Sequence, residues 1–316
     1  MMTVSRAINN KPGVSEELRR QIQDVAAEMG FQPSHAARML VTRLSGTIGL
    51  VVPDISNPFF AQIARGVEDV GYESGYCLFL VNTAENPDRE AVAYDSLWKK
   101  EVEGVIICSS RIRSDELKKQ IMRFPYAVVV NRDLDEPLPN AVAINVNDTR
   151  GAQIALRIFL EQNRTQIAFI AGPANSISGQ RRLQGYRASL KEAGLPYDNL
   201  MVENCPPTIE GGQVAAAILL ERRPGINAIF AFNDLTAVGA ILTCQGAGKA
   251  VPGDVAVIGA DDIYLTSLVH PQLTTLHVNS EHIGRIAMRT LLDNIQVGAS
   301  SATFNIEPEL IRRESA

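Results

Sequence analysis

Histidine and cysteine are the side chains best suited to metal binding or nucleophilic attack, and their spacing in this 316-residue chain supports neither. His35, His270, His277 and His282 form no HExxH or other ligand pair, and His277 and His282 sit where they would flank or cap a helix. Cys77, Cys108, Cys205 and Cys244 are scattered without a CxxC, and three of them lie in or beside apolar runs, as buried free thiols do. No GxSxG nucleophile turn and no GxGxxG occurs. Gly246-Ala247-Gly248-Lys249-Ala250 fails as a phosphate-binding loop, because Thr243 stands where the first glycine belongs and Ala250 where a hydroxyl is needed. The expectation is a binding protein rather than an enzyme, with no catalytic residue, no metal and no cofactor.

What remains is charge and its distribution. The net charge is −5, yet residues 1–45 hold six Lys/Arg (Arg6, Lys11, Arg19, Arg20, Arg38, Arg43) against four Asp/Glu (Glu16, Glu17, Asp24, Glu28), leaving −7 for the rest. A basic end on an acidic body suits contact with nucleic acid at that end. Hydrophobic residues at 46% and charged residues at 21% are ordinary for a globular protein. No run approaches the roughly 20 apolar residues of a membrane span, and Met1 to Asn10 lack the apolar core of an export signal. A cytoplasmic protein is expected.

The elements that must position these groups are legible from periodicity. TIGLVV at 47–52, YCLFLV at 76–81, GVIIC at 104–108 and AVVV at 127–130 are short, continuous and β-branched, which predicts strands buried on both faces. Helical patterns such as Phe60 to Ser74 and Arg89 to Glu101 separate them, giving a βαβ series and a parallel sheet. The pattern restarts after Asp148 with IAFIA at 167–171, AIFAF at 228–232 and VAVIG at 255–259, between helices such as Gln180 to Ala193 and Gly211 to Glu221. Two α/β lobes follow. The tail adds LTTLHV at 273–278, a helix around Ser280 to Ile295 and TFNIEPELIRR at 303–313, so the chain is expected to cross between lobes more than once. Ligands bind such sheets beyond the carboxyl ends of the strands, which makes the cleft between lobes the expected site.

The first 45 residues differ in kind. Val14-Ser15-Glu16-Glu17 starts a helix with a serine N-cap and acids in its first turn. Leu18, Ile22, Val25, Ala26 and Met29 form one apolar stripe, and Gly30 ends it. Pro33-Ser34 caps a segment from His35 to Val41 that is too short to be a stable helix alone, and so is able to switch between folded and unfolded states.

Thr3-Val4-Ser5-Arg6-Ala7-Ile8-Asn9, Val14-Ser15, Gly30-Phe31-Gln32-Pro33-Ser34 and Ala37-Arg38-Met39-Leu40 closely resemble the headpiece of the LacI/GalR family of transcription repressors. The likeness continues through Ile48-Gly49-Leu50-Val51-Val52-Pro53, Asn57-Pro58-Phe59-Phe60 and Arg182-Leu183-Gln184-Gly185-Tyr186. It ends with Phe232-Asn233-Asp234, Gly259-Ala260-Asp261-Asp262 and Pro271-Gln272-Leu273-Thr274-Thr275. Each motif is weak alone; their order along almost the whole chain is what carries the resemblance.

The resemblance implies two Rossmann-like lobes of periplasmic-binding-protein type I, preceded by a small all-α headpiece with a partial helix-turn-helix and a hinge helix. Residues 1–45 would be the headpiece, 46–146 plus 277–304 the first lobe, and 147–276 plus 305–316 the second. The DNA-binding set so implied is Thr3, Ser5, Arg6, Asn9, Ser34, Ala37 and Leu40, with Arg6 reaching a base edge and Leu40 wedging into the minor groove. In the family a first helix and tight turn precede the recognition helix, whereas here Met1-Met2 stands directly before it. The expectation is a start codon further upstream; the alternative is a regulator that binds ligand but not DNA.

The implied effector site comprises Phe60, Ser109, Asn131, Arg132, Arg182, Asn233 and Asp261. A carboxylate, a forked donor and amides converging on one spot suit the vicinal hydroxyls of a sugar or polyol. Pro206-Pro207 stands where sugar-binding members often carry an aromatic, and Val278 where many carry glutamine. A nucleobase, a deoxy sugar or a sugar acid held by Arg132 or Arg182 therefore stays open. The implied partners are palindromic operator DNA, the effector and a second copy of the chain, since a two-fold DNA site needs a homodimer. The chain stops at Arg312-Arg313-Glu314-Ser315-Ala316 without leucine heptads, so no tail-mediated tetramer is expected. A periplasmic-type solute receptor of the same fold is the remaining alternative.

Overall fold

The computed structural model describes residues 2–8, 12–29, 45–298 and 303–316, and the chain forms two compact units, Met1–Ser45 and Gly46–Ala316. In the first unit, α1 (Met2–Ile8) is followed by α2 (Glu16–Glu28). The second helix starts where the sequence predicts: Ser15 Oγ accepts from Leu18 N at 3.4 Å, and Glu16 and Glu17 face the positive end of the helix dipole. Ala7 is buried, and Gln23 Nε2 donates to its carbonyl at 3.4 Å, tying the two helices together. The apolar stripe of α2 stays largely open, with Val25 53% and Met29 78% exposed. The segment from Pro33-Ser34 to Val41, with the expected hinge helix, lies outside the described residues.

The second unit is built on two sheets. The first orders its strands β11-β5-β4-β3-β1-β2, all parallel, from β1 (Thr47–Val52), β2 (Cys77–Asn82), β3 (Gly104–Cys108), β4 (Ala127–Val130), β5 (Ala141–Val146) and β11 (Thr303–Ile306). The second orders β12-β10-β9-β8-β6-β7 from β6 (Ile167–Ile170), β7 (Val202–Glu203), β8 (Ala228–Ala231), β9 (Ala256–Asp261), β10 (Thr274–His277) and β12 (Glu309–Ile311). Only β12 runs antiparallel among these described strands. Each sheet has an apolar layer on both faces, which is why β1, β3, β4 and β8 are continuous apolar runs. YCLFLV departs from the expected double burial: β2 is an edge strand, and its residues are exposed or half-buried.

The helices pack in pairs, and glycine sits where their backbones meet. In the first lobe α3 (Pro58–Glu73) crosses α10 (Ser280–Val297), where a Cβ on Gly66 would lie 2.0 Å from the Glu281 carbonyl and one on Gly284 2.1 Å from that of Ile63. In the second lobe α8 (Ile209–Arg222) crosses α9 (Asp234–Gly246) in the same way, and α6 (Asp148–Glu161) crosses α7 (Ile177–Glu192) at Gly185. The remaining helices, α4 (Pro87–Lys99) and α5 (Ser114–Ile121), cover the other face of the first sheet.

The chain passes between the lobes at residue 147, at 278–279 and at 307–308. Strand pairing corrects two expected divisions. His277 pairs with Asp261 in the second sheet, so the first lobe resumes one residue later than the expected 277. Asn305 and Ile306 pair with Asn145 and Val146 in the first sheet, so an end at 304 would cut β11 in two.

Candidate ligand site

Loops at the carboxyl ends of both sheets converge on one small cavity. From the first lobe come Asn57, Phe59 and Phe60 after β1, Glu85 after β2, Ser109 and Arg111 after β3, and Asn131 after β4. From the second come Ser176, Ser178 and Arg182 after β6, Pro207 after β7, Phe232 and Asn233 after β8, and Asp261 at the end of β9. The enclosed volume is about 30 Å³, far below the roughly 300 Å³ at which small-molecule pockets begin, so the lobes have to part to admit a ligand.

Backbone geometry aims several of these groups. Glu85, Ser109, Asn131 and Asp261 take φ of 57°, 45°, 54° and 113°, the left-handed region that L residues rarely adopt. Such conformations persist where the surroundings enforce them, and they cluster at binding sites. Asn131 is held by accepting from Val146 N through Oδ1 at 3.1 Å. Asn233 caps α9: its Oδ1 accepts from Thr236 N at 2.9 Å while Thr236 Oγ1 accepts from Asn233 N at 3.1 Å, a reciprocal capping box. The cap fixes Asn233 in place and leaves it lining the cavity.

Arg182 is the electrostatic centre of the second lobe. Its Nε and Nη2 reach Asp148 Oδ1 at 2.9 and 2.8 Å, Nη1 donates to the Phe232 carbonyl, and Asp261 Oδ1 lies 3.8 Å away. The guanidinium also stacks over the Phe232 ring, 5.3 Å from its centroid. Burial works against the charge, but Asp148 and Asp261 outweigh it and hold the pKa above the usual value. Burial pushes the Asp261 carboxyl up to about 7 against the pull of Arg182, and Asp148 adds to the rise. Asp234, behind the cavity, is also raised well above the carboxylate range, by burial first and Asp261 second. It accepts from Thr275 Oγ1 at 2.5 Å and Ile263 N at 2.9 Å, binding the end of β8 to the loop after β9.

These shifts set a pH dependence. The native state holds the Asp261 proton up to about pH 7, whereas the unfolded chain releases it near the ordinary 3.8. The stability this gives is therefore full below about pH 4 and is lost as pH rises through 7. Urea unfolding of wild type and Asp261→Asn should give a stability difference that shifts against wild type between pH 4 and 7; a difference independent of pH contradicts the assignment.

The structure brings together Phe60, Ser109, Asn131, Arg182, Asn233 and Asp261, but not Arg132. Arg132 turns into the first lobe, where its Nη2 donates to the Ile112 carbonyl at 2.8 Å and lies 3.3 Å from Ser114 Oγ. The arginine on the first-lobe wall is Arg111, paired through Nε and Nη2 with Glu85 at 2.5 and 3.1 Å. Sequence reasoning missed both; their position just after β2 and β3 was the available signal. Of the two departures from sugar-binding relatives, Pro207 lines the cavity, and Val278 lines a space of about 10 Å³ behind Arg182 and Asp261. In the first unit, Thr3, Ser5 and Arg6 lie on α1, with Thr3 and Arg6 exposed; Asn9, Ser34, Ala37 and Leu40 lie outside the described residues.

Among the described residues no group of three or more His, Cys, Asp and Glu is placed to hold a metal, and no helix is long and apolar enough to cross a membrane.

Comparison with known proteins covers nearly the whole chain. Residues 45–314 match the model for periplasmic binding proteins and the sugar-binding domain of the LacI family, and residues 1–34 the model for bacterial regulatory proteins of the lacI family. The ribose operon repressor of Halalkalibacterium halodurans is 34% identical over 99% of this chain and 92% of its own length. The regulator GalR of Escherichia coli is 31% identical over 99% of this chain and 91% of its own. Among solved structures, the transcriptional regulator CelR in complex with cellobiose aligns with a TM-score of 0.78 at 30% identity, over 100% of this chain and 95% of that one. The lac repressor dimer bound to operator shares the fold, with a TM-score of 0.89 at 22% identity over 99% of this chain and 94% of that one. With both its parts matched in order, the chain belongs to the LacI family of bacterial regulatory proteins.

Proposed function

We propose that this protein is a cytoplasmic transcription repressor whose homodimer binds a palindromic operator and is switched by a sugar held between its lobes. The observation that carries the reading is the cavity itself. Asn131, Asn233, Ser109 and Asp261 offer hydroxyl-binding groups from both lobes, and Phe60 and Phe232 offer flat apolar walls. Arg111 and Arg182 are already neutralised, by Glu85 and by Asp148, which favours a neutral polyol over a sugar acid or phosphate.

Closing the lobes on the sugar changes the geometry that the first lobes of the dimer present to the headpieces. Thr3, Ser5, Arg6 and Asn9 would then read the major groove, and Ser34, Ala37 and Leu40 the hinge contacts. Linkage requires operator and sugar to alter each other's affinity by the same factor. The relatives are regulators, which supports a binding role without catalysis.

The test is a melting screen with D-ribose, D-galactose and cellobiose. A sugar at about a hundred times its Kd should stabilise the protein by roughly 2.7 kcal/mol. If no sugar moves the melting temperature, the sugar assignment fails. Operator binding, followed by gel shift with selected palindromic DNA, should be lost in Arg6→Ala while the melting response to sugar is retained. Binding that survives Arg6→Ala unchanged removes Arg6 from the DNA contact.

A further inference from the structure

Helix α7 carries the arginine of the cavity and, next to it, one that leaves its own lobe. Its N-cap is clasped by the first lobe: Arg111 Nη1 lies 3.4 Å from Ser176 Oγ, and Asn175 Nδ2 donates to the Arg111 carbonyl at 3.4 Å. Further along the same helix, Arg181 Nη2 pairs with Asp133 Oδ1 and donates to Asn145 Oδ1 at 3.3 Å, both in the first lobe. Asn145 Nδ2 donates to the same Asp133 oxygen at 3.1 Å, so the three side chains close a ring across the cleft. None of the three lines the cavity.

The other terminal nitrogen of Arg181 turns back into its own lobe. Nη1 is buried without a hydrogen-bond partner, and it faces Asp148 Oδ2, likewise buried and without one, across 3.8 Å. Asp148 is the first residue of α6, immediately after the chain passes between the lobes at 147, and its other oxygen holds Arg182. Arg181 and Asp148 both belong to the second lobe, so this pair seats the guanidinium in its own lobe while the ring spans the cleft.

We propose that Arg181 is a latch between the lobes: seated beside Asp148 in its own lobe, it holds the two together through Asp133 and Asn145. The Arg181 side chain is 16% exposed and that of Asp133 58%, so salt screens the pair and it favours closure only modestly. That suits a switch, since the weaker the free protein's own preference, the smaller the differential affinity with which a ligand can shift it. Arg181 thereby sets how much of a ligand's binding energy goes into closing the cleft, without touching the ligand. The latch rests on the reading that the ligand is gripped by lobe closure, but its test uses no ligand.

Spin labels at Lys99→Cys in the first lobe and Lys191→Cys in the second, both exposed positions, would report the distance between lobes in a Cys77→Ser background. Mixing labelled with excess unlabelled full-length chain isolates the distance within one protomer. Without sugar, Arg181→Gln and Asp133→Asn should each move part of the population to longer distances. Raising salt from about 0.05 to about 0.5 M should do the same in wild type and change Arg181→Gln little. Exchanging the charges, with Arg181→Glu and Asp133→Arg together, should recover the shorter distance lost in Arg181→Glu alone. Melting curves identify any variant that fails to fold, and Asp133→Asn, at a half-exposed group, carries the test if Arg181→Gln does. Identical distributions in wild type and Asp133→Asn at both salt concentrations overturn the latch. Opening by Arg181→Gln that neither Asp133→Asn nor the charge exchange reproduces or reverses also overturns it, by placing the effect of Arg181 within its own lobe. A sugar screen without any melting response, with the latch results as expected, refutes the sugar assignment alone.

Discussion

Replacing Arg182 with alanine is expected to abolish the melting response to sugar and to destabilise the protein by about 3 to 5 kcal/mol, the usual cost of removing one partner from a buried ion pair. Arg182 is buried and is the cation against Asp148, Asp261 and, behind them, Asp234. Without it, Asp148 keeps only Arg181 at 3.8 Å, and the Phe232 carbonyl loses its donor. The carboxylates respond by taking up protons, so the deficit should grow as pH rises, where staying protonated becomes harder. Urea unfolding at pH 5 and pH 8 measures both parts. A loss under about 1 kcal/mol at either pH would show that the cluster does not depend on this cation. Arg182→Lys restores charge but not the fork, so it should recover part of the stability and little of the sugar response.

The second large effect lies away from any ligand. Gly66→Ala should destabilise the first lobe by about 2 to 3 kcal/mol, as overpacking of a closed interior does. Alanine is intrinsically favoured over glycine in a helix by up to about 1 kcal/mol, so a surface position would gain. At Gly66 the added Cβ would lie 2.0 Å from the Glu281 carbonyl and 2.9 Å from Arg285 N, and backbone atoms in a helix cannot move aside as a flexible side chain can. The helices α3 and α10 must separate, opening the layer that contains Ile63, Val67 and Ala287. Gly246→Ala is the contrasting case, since nothing lies within 4 Å of its Cβ position at the end of α9. It should be neutral or slightly stabilising. Equal melting temperatures for the two variants would remove close backbone packing as the reason for glycine at position 66.

What was legible in the sequence and what was not separate along physical lines. Strands between helices, such as GVIIC and AIFAF, announce themselves because a run buried on both faces leaves no polar residue to interrupt it. AVAINV at 141–146 does not announce itself in this way, although it forms β5 between β4 and β11. No helix separates it from AVVV, so the alternation that marked the other strands is broken there. In the site, Phe60, Asn233 and Asp261 could be named because they lie within runs that carry the family resemblance, Asn57-Pro58-Phe59-Phe60, Phe232-Asn233-Asp234 and Gly259-Ala260-Asp261-Asp262. Arg132 could not be told from Arg111 in this way. Each follows a strand closely, and which one enters the cleft is decided by the left-handed turns at Ser109 and Asn131, which composition does not encode.

The late return of the chain to its first lobe bears on how the protein is made. A ribosome delivers residues 47–146, five of the six strands of the first sheet, long before it delivers α10 and β11. Until then Ile63, Val67 and the outer edge of β5 lack the cover that Met288, Leu291 and residues 303–306 provide. The second lobe, continuous from β6 to β10, is the one able to complete most of its sheet during synthesis. The nascent first lobe therefore exposes an apolar face and an unpaired strand edge until β11 is made, about 160 residues later, roughly 8 to 32 s at typical elongation rates. Its vulnerability to aggregation is set by the speed of translation rather than by the stability of the finished fold.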